Sequence, residues 1–195
     1  MKPSQVVQCK GFPCTDARHE CYVAPNLEVQ PERGRIVLIS EATPADPGDY
    51  YYAPGEALFA QTTVQAFQDA GAPVASTQDI LGLGVYLTPA VKCGKTGYGV
   101  QGSTIGQCSR LLERELALFP HVQAYLLMGD VAMGAVNLIA KRAGQARVIP
   151  AGSTYKIRGQ RALPSYLQVG PSFFIEKSKH RIIAEDIAAA LRLVG

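Results

Sequence analysis

Short apolar, β-branched runs alternating with helix-patterned segments constrain this chain more than any other feature. Arg35-Ile-Val-Leu-Ile-Ser40 has the composition of a strand buried on both faces. A helix is predicted from about Ala57 to Ala70, with Phe59, Thr63, Val64 and Phe67 on one stripe and Gly71 as its stop. Val85-Tyr-Leu-Thr88 predicts a second strand, leading through Pro89-Ala-Val-Lys-Cys93 into a Gly-rich loop from Gly94 to Gly102. Ser103 or Thr104 then caps a helix with Ile105, Cys108, Leu112, Leu116 and Phe119 at helical spacing. Val122 to Met128 is a third strand, and Gly129-Asp130 turns it into a helix from Val131 to Lys141. Further short strands are expected near Arg147–Pro150 and Arg161–Leu167. The last helix is expected from about Lys179 to Leu193, with Ile183, Ile187, Leu191 and Val194 facing inward. Such alternation implies βαβ units and a mostly parallel sheet. In such sheets ligands bind beyond the carboxyl ends of the strands, here the loops after Ser40, Thr88, Met128 and Leu167.

At 195 residues the chain can bury most of its apolar surface in one core, so a single domain over residues 1–195 is expected. Residues 1–34 are polar and Pro-containing and read as an irregular N-terminal cap carrying three cysteines. No repeat or charge excess supports a collagen-like, coiled-coil or disordered class. The net charge of +3 permits a polyanionic partner without demanding one. The first residues form no apolar export segment. The most apolar stretch, Ala124 to Ala140, contains Asp130 and Asn137 and is too short to span a bilayer. A cytoplasmic protein without a membrane segment is expected.

Five cysteines, Cys9, Cys14, Cys21, Cys93 and Cys108, make an odd set. In a reducing compartment a clustered set points to a metal or a cluster more than to disulfides. Core thiols are the plain alternative for Cys93 and Cys108, and no C-x-x-C pair is present. Gly94-Lys95-Thr96 resembles the tail of a phosphate-binding loop, but the position of that motif's first glycine is Pro89; the segment reads as a flexible loop. His19, His121 and His180 have no Cys or Ser partner at a strand end, so nothing supports a Cys–His hydrolase. The segment from 41 to 56 holds three prolines, three tyrosines and four acids, and a loop that long in a compact domain is usually functional. Lys177, Lys179, His180 and Arg181 crowd a helix start, where the macrodipole disfavours cations unless an anion sits among them. That pattern fits either a solvated charge run or a nucleic-acid backbone contact, with Ser172 and Ser178 as further donors.

Taken in order, these segments resemble the iron–sulfur branch of the uracil-DNA glycosylase superfamily. Arg35-Ile-Val-Leu-Ile-Ser-Glu-Ala-Thr-Pro44 resembles the first strand and its G-E-A-P-G motif. Pro89-Ala-Val-Lys-Cys93 resembles N-V-V-K-C, and Cys108 the fourth cluster cysteine. Tyr125-Leu-Leu-Met-Gly129-Asp-Val-Ala resembles the third strand and its turn, Leu163-Pro-Ser-Tyr-Leu167 the H-P-S motif, and Ile182-Ile-Ala-Glu-Asp-Ile187 the final helix. The resemblance implies an α/β three-layer sandwich around a short, mostly parallel four-stranded sheet. It also implies binding to DNA, extrusion of a base from the stack and hydrolysis of its N-glycosidic bond.

Carried onto this chain, Glu41 takes the position of the pocket acid and is the expected catalytic residue. Ser40, Ala42, Phe59, Thr88, Pro89 and Leu163 outline the expected base pocket, with Phe59 as the stacking aromatic and Tyr50 to Tyr52 as rivals. Ser165 falls on the serine that meets a DNA phosphate. Ser172, Lys177, Lys179, His180 and Arg181 complete the DNA contact. Cys14, Cys21, Cys93 and Cys108 are chosen as ligands of a 4Fe-4S cluster, with Cys9 spare and zinc as the alternative metal. The motif histidine is replaced by Leu163 and the base-reading asparagine by Pro89. Loss of such a donor costs about a hundredfold or more in rate by analogy with oxyanion holes. Two other readings are therefore carried: a catalytically silent nucleic-acid-binding protein, and a zinc-stabilised α/β protein with a small-molecule pocket.

Overall fold

The computed structural model describes residues 1–97, 99–148, 155–175 and 177–195, and all but the side chain of Ser172 within them. The strand expected at Arg147–Pro150 falls partly outside this set; Arg147 and Val148 are not in a strand. The strands are β1 (Ala17–Arg18), β2 (Ile36–Thr43), β3 (Val85–Lys95), β4 (Ala124–Met128), β5 (Tyr155–Ile157) and β6 (Gln160–Ser165). The helices are α1 (Leu58–Asp69), α2 (Thr77–Gly82), α3 (Gly102–Leu116), α4 (Asp130–Arg142), α5 (Pro171–Ile175) and α6 (Lys177–Arg192).

The strands form one mixed six-stranded sheet in the order β1-β3-β2-β4-β6-β5, where four strands were expected. β3, β2, β4 and β6 pair in parallel, while the outer β1 and β5 pair antiparallel. The extra strands are short edges. β1 comes from the N-terminal segment and covers only Gly94 and Lys95 of β3. β5 joins β6 through Arg158 and Gly159, both at positive φ (52° and 81°), the geometry of a two-residue hairpin turn that twists with its strands. Arginine is an unusual choice for such a turn, which hides the hairpin from sequence reading.

Two prolines lie inside strands. Pro89 pairs with Ser40 across β2, and Pro164 with Leu127 across β4. A proline cannot donate to a sheet ladder and is confined to strand edges. Among the described residues neither position has an outer neighbour: β1 pairs only with residues 94–95 and β5 only with 160–162. For the same reason β3 continues through Pro89 to Lys95 instead of stopping at Thr88. β2 likewise runs three residues past Ser40, so Glu41 lies in a strand.

Alternate residues of β2 enter two different apolar clusters, as a strand covered on both faces requires. Val37 and Ile39 join Cys108, Leu112 and Leu116 of α3 and Val136 and Ile139 of α4. Ile36 and Leu38 join Phe59 and Phe67 of α1 and Ile183 and Ile187 of α6. Among the described residues no helix is long and apolar enough to cross a membrane.

One buried ionic network fastens β3 to α3. Lys92 and Glu115 are ion-paired with both side chains fully inaccessible. Tyr86 Oη and Thr88 Oγ1 donate to Glu115 Oε1 at 2.7 and 2.9 Å, and Lys92 Nζ also donates to the Pro89 carbonyl at 2.8 Å. Removing one partner of such a pair leaves an uncompensated buried charge and costs about 3–5 kcal/mol. Lys92→Met is therefore expected to destabilise the protein by that order, and pairing it with Glu115→Leu is expected to recover most of the loss. Denaturant unfolding of the two variants checks this.

Candidate functional site

A cavity of about 780 Å³ opens at the carboxyl ends of β2, β4 and β6. Its wall includes Glu41, Gly129, Asp130, Leu163, Ser165 and Asp186. Glu41 Oε2 accepts a hydrogen bond from Lys95 Nζ at 2.7 Å. The rest of the carboxyl lies against the entry to α4, where a Cβ on Gly129 would stand 2.7 Å from Glu41 Oε1. Gly129 is at φ 94°, so both its conformation and this close approach demand glycine. Its amide donates to the Ser165 carbonyl at 3.0 Å, which joins the turn after β4 to the end of β6. The structure thus draws Glu41, Leu163 and Ser165 from opposite halves of the chain onto one cavity. Ser165 is only 9% exposed and its Oγ has no hydrogen-bond partner among the described residues, so it sits in the cavity wall instead of on an open phosphate-binding surface.

The other expected pocket residues lie elsewhere. Thr88 is fully buried and committed to Glu115, and Pro89 gives its carbonyl to Lys92. Both belong to the network between β3 and α3 and present nothing to a base. Ala42 is packed in the apolar cluster under α3 and α4. Phe59 packs edge-on to Tyr51, with ring centroids 5.5 Å apart, as a core aromatic. Ser40 is fully buried beside Tyr51.

Tyr50 and Tyr51 turn inward and are almost fully buried, although their segment reads as a polar loop. Burial raises the Tyr51 phenol pKa, and the nearby Ser40, Gln168 and Thr63 side chains hold it down in part. Gln168 Nε2 donates to Tyr51 Oη at 3.1 Å, whereas Ser40 Oγ, Thr63 Oγ1 and Gln168 Oε1 have no hydrogen-bond partner among the described residues. Tyr51 therefore fills the polar space beside Ser40 where the sequence places a base pocket.

The basic segment forms the start of α6. Arg181 is exposed and reaches Glu185 at 3.7 Å. Lys177 is exposed, and Lys179 Nζ lies 4.9 Å from the centre of the Tyr166 ring. His180 departs from the expectation of a DNA contact: its ring stacks on Phe173 at 3.9 Å, and Nε2 meets the Phe173 carbonyl. Its function in the structure is to join α6 to α5. Phe174, Ile175 and Tyr166 stand 52%, 77% and 43% exposed beside these cations.

Four cysteines line a second cavity of about 250 Å³: Cys9, Cys14, Cys93 and Cys108. Cys93 and Cys108 are buried at the end of β3 and inside α3; Cys9 and Cys14 come from the N-terminal segment. Burial pushes the Cys93 thiol up to about 12, and the neighbouring Cys108, Cys9, Cys14 and Cys21 add to the shift. Burial also raises Cys108, while the Lys92 amide and ammonium oppose it. Lys10, Arg110 and Arg114 stand around the same cavity. Cys21 is set apart from the wall. Its Sγ donates to the Ala45 carbonyl at 3.0 Å, and its side chain packs over Gly94, where a Cβ would meet Cys21 Cβ at 3.0 Å. His19 also lines the cavity, and its buried Nε2 has no hydrogen-bond partner among the described residues. Among the described residues no three His, Cys, Asp or Glu side chains form a group placed to hold a metal ion.

Asp16 holds this end together. It accepts from the Gln101 amide at 2.7 Å and from Thr104 Oγ1, and its carbonyl accepts from Thr96 Oγ1 at 3.0 Å. The N-terminus of α3 is thus capped by a residue from the N-terminal segment, not by Ser103 or Thr104 as its own Ncap, and the Thr104 hydroxyl lowers the Asp16 carboxyl most. No family model matches the chain, and no curated protein does either.

Proposed function

We propose that this chain is a nucleic-acid-binding protein of the iron–sulfur uracil-DNA glycosylase type that hydrolyses the N-glycosidic bond of a base extruded from DNA. The observation that carries the reading is the shared cavity of Glu41, Leu163 and Ser165, because the residues of the first and second motifs come together at the carboxyl ends of the strands, as the resemblance requires. The four parallel inner strands with apolar clusters on both sides support the finer reading of a three-layer sandwich. Base extrusion needs a cavity able to hold a base, and about 780 Å³ provides one. Glu41 would hold the attacking water. Lys177 and Arg181 would meet phosphates, and the exposed Phe174 and Ile175 match the apolar wedges with which groove-binding proteins part base steps.

A second reading, a silent binder with the same fold, is favoured by one specific finding. Tyr51 occupies the space beside Ser40, and Thr88 and Pro89 are consumed by the Lys92–Glu115 network. Incubation with single- and double-stranded uracil DNA, followed by cleavage of abasic sites, separates the two. The expected result is strand cleavage that Glu41→Gln lowers by about a hundredfold or more. Salt-sensitive binding with no cleavage at stoichiometric protein would establish the silent binder instead.

We propose that the cysteine cavity takes a 4Fe-4S cluster in preference to zinc, its four thiols lining one wall without being drawn into a single group. Four thiolates in one partly buried space are unfavourable, by burial first and by mutual repulsion second, the two causes that raise the Cys93 thiol, unless a cationic centre compensates them. A tetrahedral zinc draws its sulfurs to about 3.8 Å from each other, given Zn–S distances near 2.3 Å. A four-iron cluster instead seats each thiolate on its own corner, which suits thiols spread around a cavity. The ligands we propose are Cys9, Cys14, Cys93 and Cys108, replacing Cys21 with Cys9. The cluster's role would be to pin the N-terminal segment to β3 and α3. Anaerobically purified protein is expected to be brown, with Cys14→Ala and Cys9→Ala bleaching it and Cys21→Ala keeping its iron. Iron and sulfide analysis with the visible spectrum checks this; stoichiometric zinc in a colourless protein would contradict it.

A further inference from the structure

Breaking an N-glycosidic bond requires that the departing base be stabilised as it takes up the bonding electrons, by a hydrogen bond or a proton. Leu163 supplies neither. Glu41 is engaged by Lys95 and faces the cavity as an acceptor. Asp130 lies in the first turn of α4.

Asp186 differs from both. Helix α6 buries Ile183, Ile187 and Ala190 against the sheet, while Lys179, Ile182, Asp186 and Ala189 line the cavity. That second set follows helical spacing, so Asp186 is aimed into the cavity by the same helix rotation that buries its neighbours. Burial raises its carboxyl pKa, the Ser165 hydroxyl opposes the shift, and Glu185 adds to it. Ser165, nine-tenths buried with an unpartnered Oγ in the same wall, stands close to it without closing a full hydrogen bond.

We propose that Asp186 is the proton donor to the departing base, taking the place that Leu163 leaves vacant, with the Ser165 hydroxyl orienting its carboxyl. The inference rests on the N-glycosidase reading above. In the step, a water oxygen bonds to C1′ as the C1′–N bond breaks and a water proton passes to Glu41. The bonding pair leaves with the base, which takes the Asp186 proton; exchange with solvent resets both carboxyls. The charged and titratable groups facing Asp186 are Glu41 of β2 with Lys95 of β3, Asp130 of α4, and Arg161 of β6. Tyr166, Lys179 and Glu185 face it from the loop after β6 and from α6 itself.

Single-turnover excision of uracil from an oligonucleotide, measured across pH for wild type, Asp186→Asn, Asp186→Glu and Ser165→Ala, tests this. Asp186→Asn is expected to lose about 10²- to 10⁴-fold in rate with DNA affinity unchanged. The wild-type rate should fall as pH rises through the Asp186 pKa, because the protonated form is the active one; the residual Asp186→Asn rate should lack that limb. Asp186→Glu should restore part of the rate, and Ser165→Ala should shift the limb. Thermal unfolding supplies the structural control: a carboxyl whose folded pKa is raised contributes stability only at low pH and loses it as pH rises through that pKa. Asp186→Asn should therefore be at least as stable as wild type at neutral pH. An Asp186→Asn rate within about threefold of wild type, with the same pH profile, would overturn the proposal and leave the N-glycosidase reading standing. A rate loss matched by lost stability or DNA affinity would also overturn it. Wild-type protein that excises no base would overturn both.

Discussion

The buried Lys92–Glu115 pair is the constraint from which both cavities take their positions. It places a charged side chain from β3 against one from α3 with no water between them, and in an apolar interior that contact tolerates little displacement. Cys93 follows Lys92 in the strand, and Cys108 lies two helical turns before Glu115 on α3. Fixing the pair therefore fixes the relative positions of the two buried thiols. Burial raises the Cys108 thiol, and the Lys92 amide and ammonium oppose that shift.

The same strand carries the constraint to the other cavity. β3 continues past the pair to Lys95, whose ammonium holds Glu41, and Glu41 in turn rests on Gly129 at the entry to α4. Gly129 bonds to the end of β6. A continuous path thus runs from the buried pair through β3 and β2 to the walls of the larger cavity, with each link a named contact. The N-terminal segment closes over this frame by Asp16 on the start of α3, by Cys21 over Gly94 and by the Val23 amide on the Lys92 carbonyl at 2.8 Å.

Much of this is legible in the sequence, and the limits have physical causes. The apolar run after Arg35, the stripe of α3 and the turn at Gly129-Asp130 mark their elements by periodicity and glycine chemistry. The motif at Glu41 points to a pocket beyond the strand ends, whereas the resemblance assigns Ser165 to a DNA phosphate and the structure places it in the wall of the same cavity. The ligand choice among the cysteines is not legible. The N-terminal segment is irregular, so spacing alone does not say that Cys9 turns toward Cys93 while Cys21 turns away to Ala45. The polar network is hidden because nothing in the sequence says that Lys92, past the expected strand end at Thr88, pairs with Glu115, a charge beside the apolar stripe of α3. Tyr51 looks like loop and proves to be core, since its hydrogen-bond partner Gln168 lies far along the chain. Asp186 carried a signal that was available: Lys179, Ile182, Asp186 and Ala189 form a second stripe beside the apolar one on α6.

The direct measurement is a structure of the anaerobically prepared protein bound to an oligonucleotide carrying a non-cleavable uracil analogue. Density for an extruded base between Glu41 and Ser165, with a four-iron cluster on Cys9, Cys14, Cys93 and Cys108, is the expected result. DNA bound with its bases stacked and the cavity filled only by solvent, or a single zinc ion among the cysteines, would contradict it.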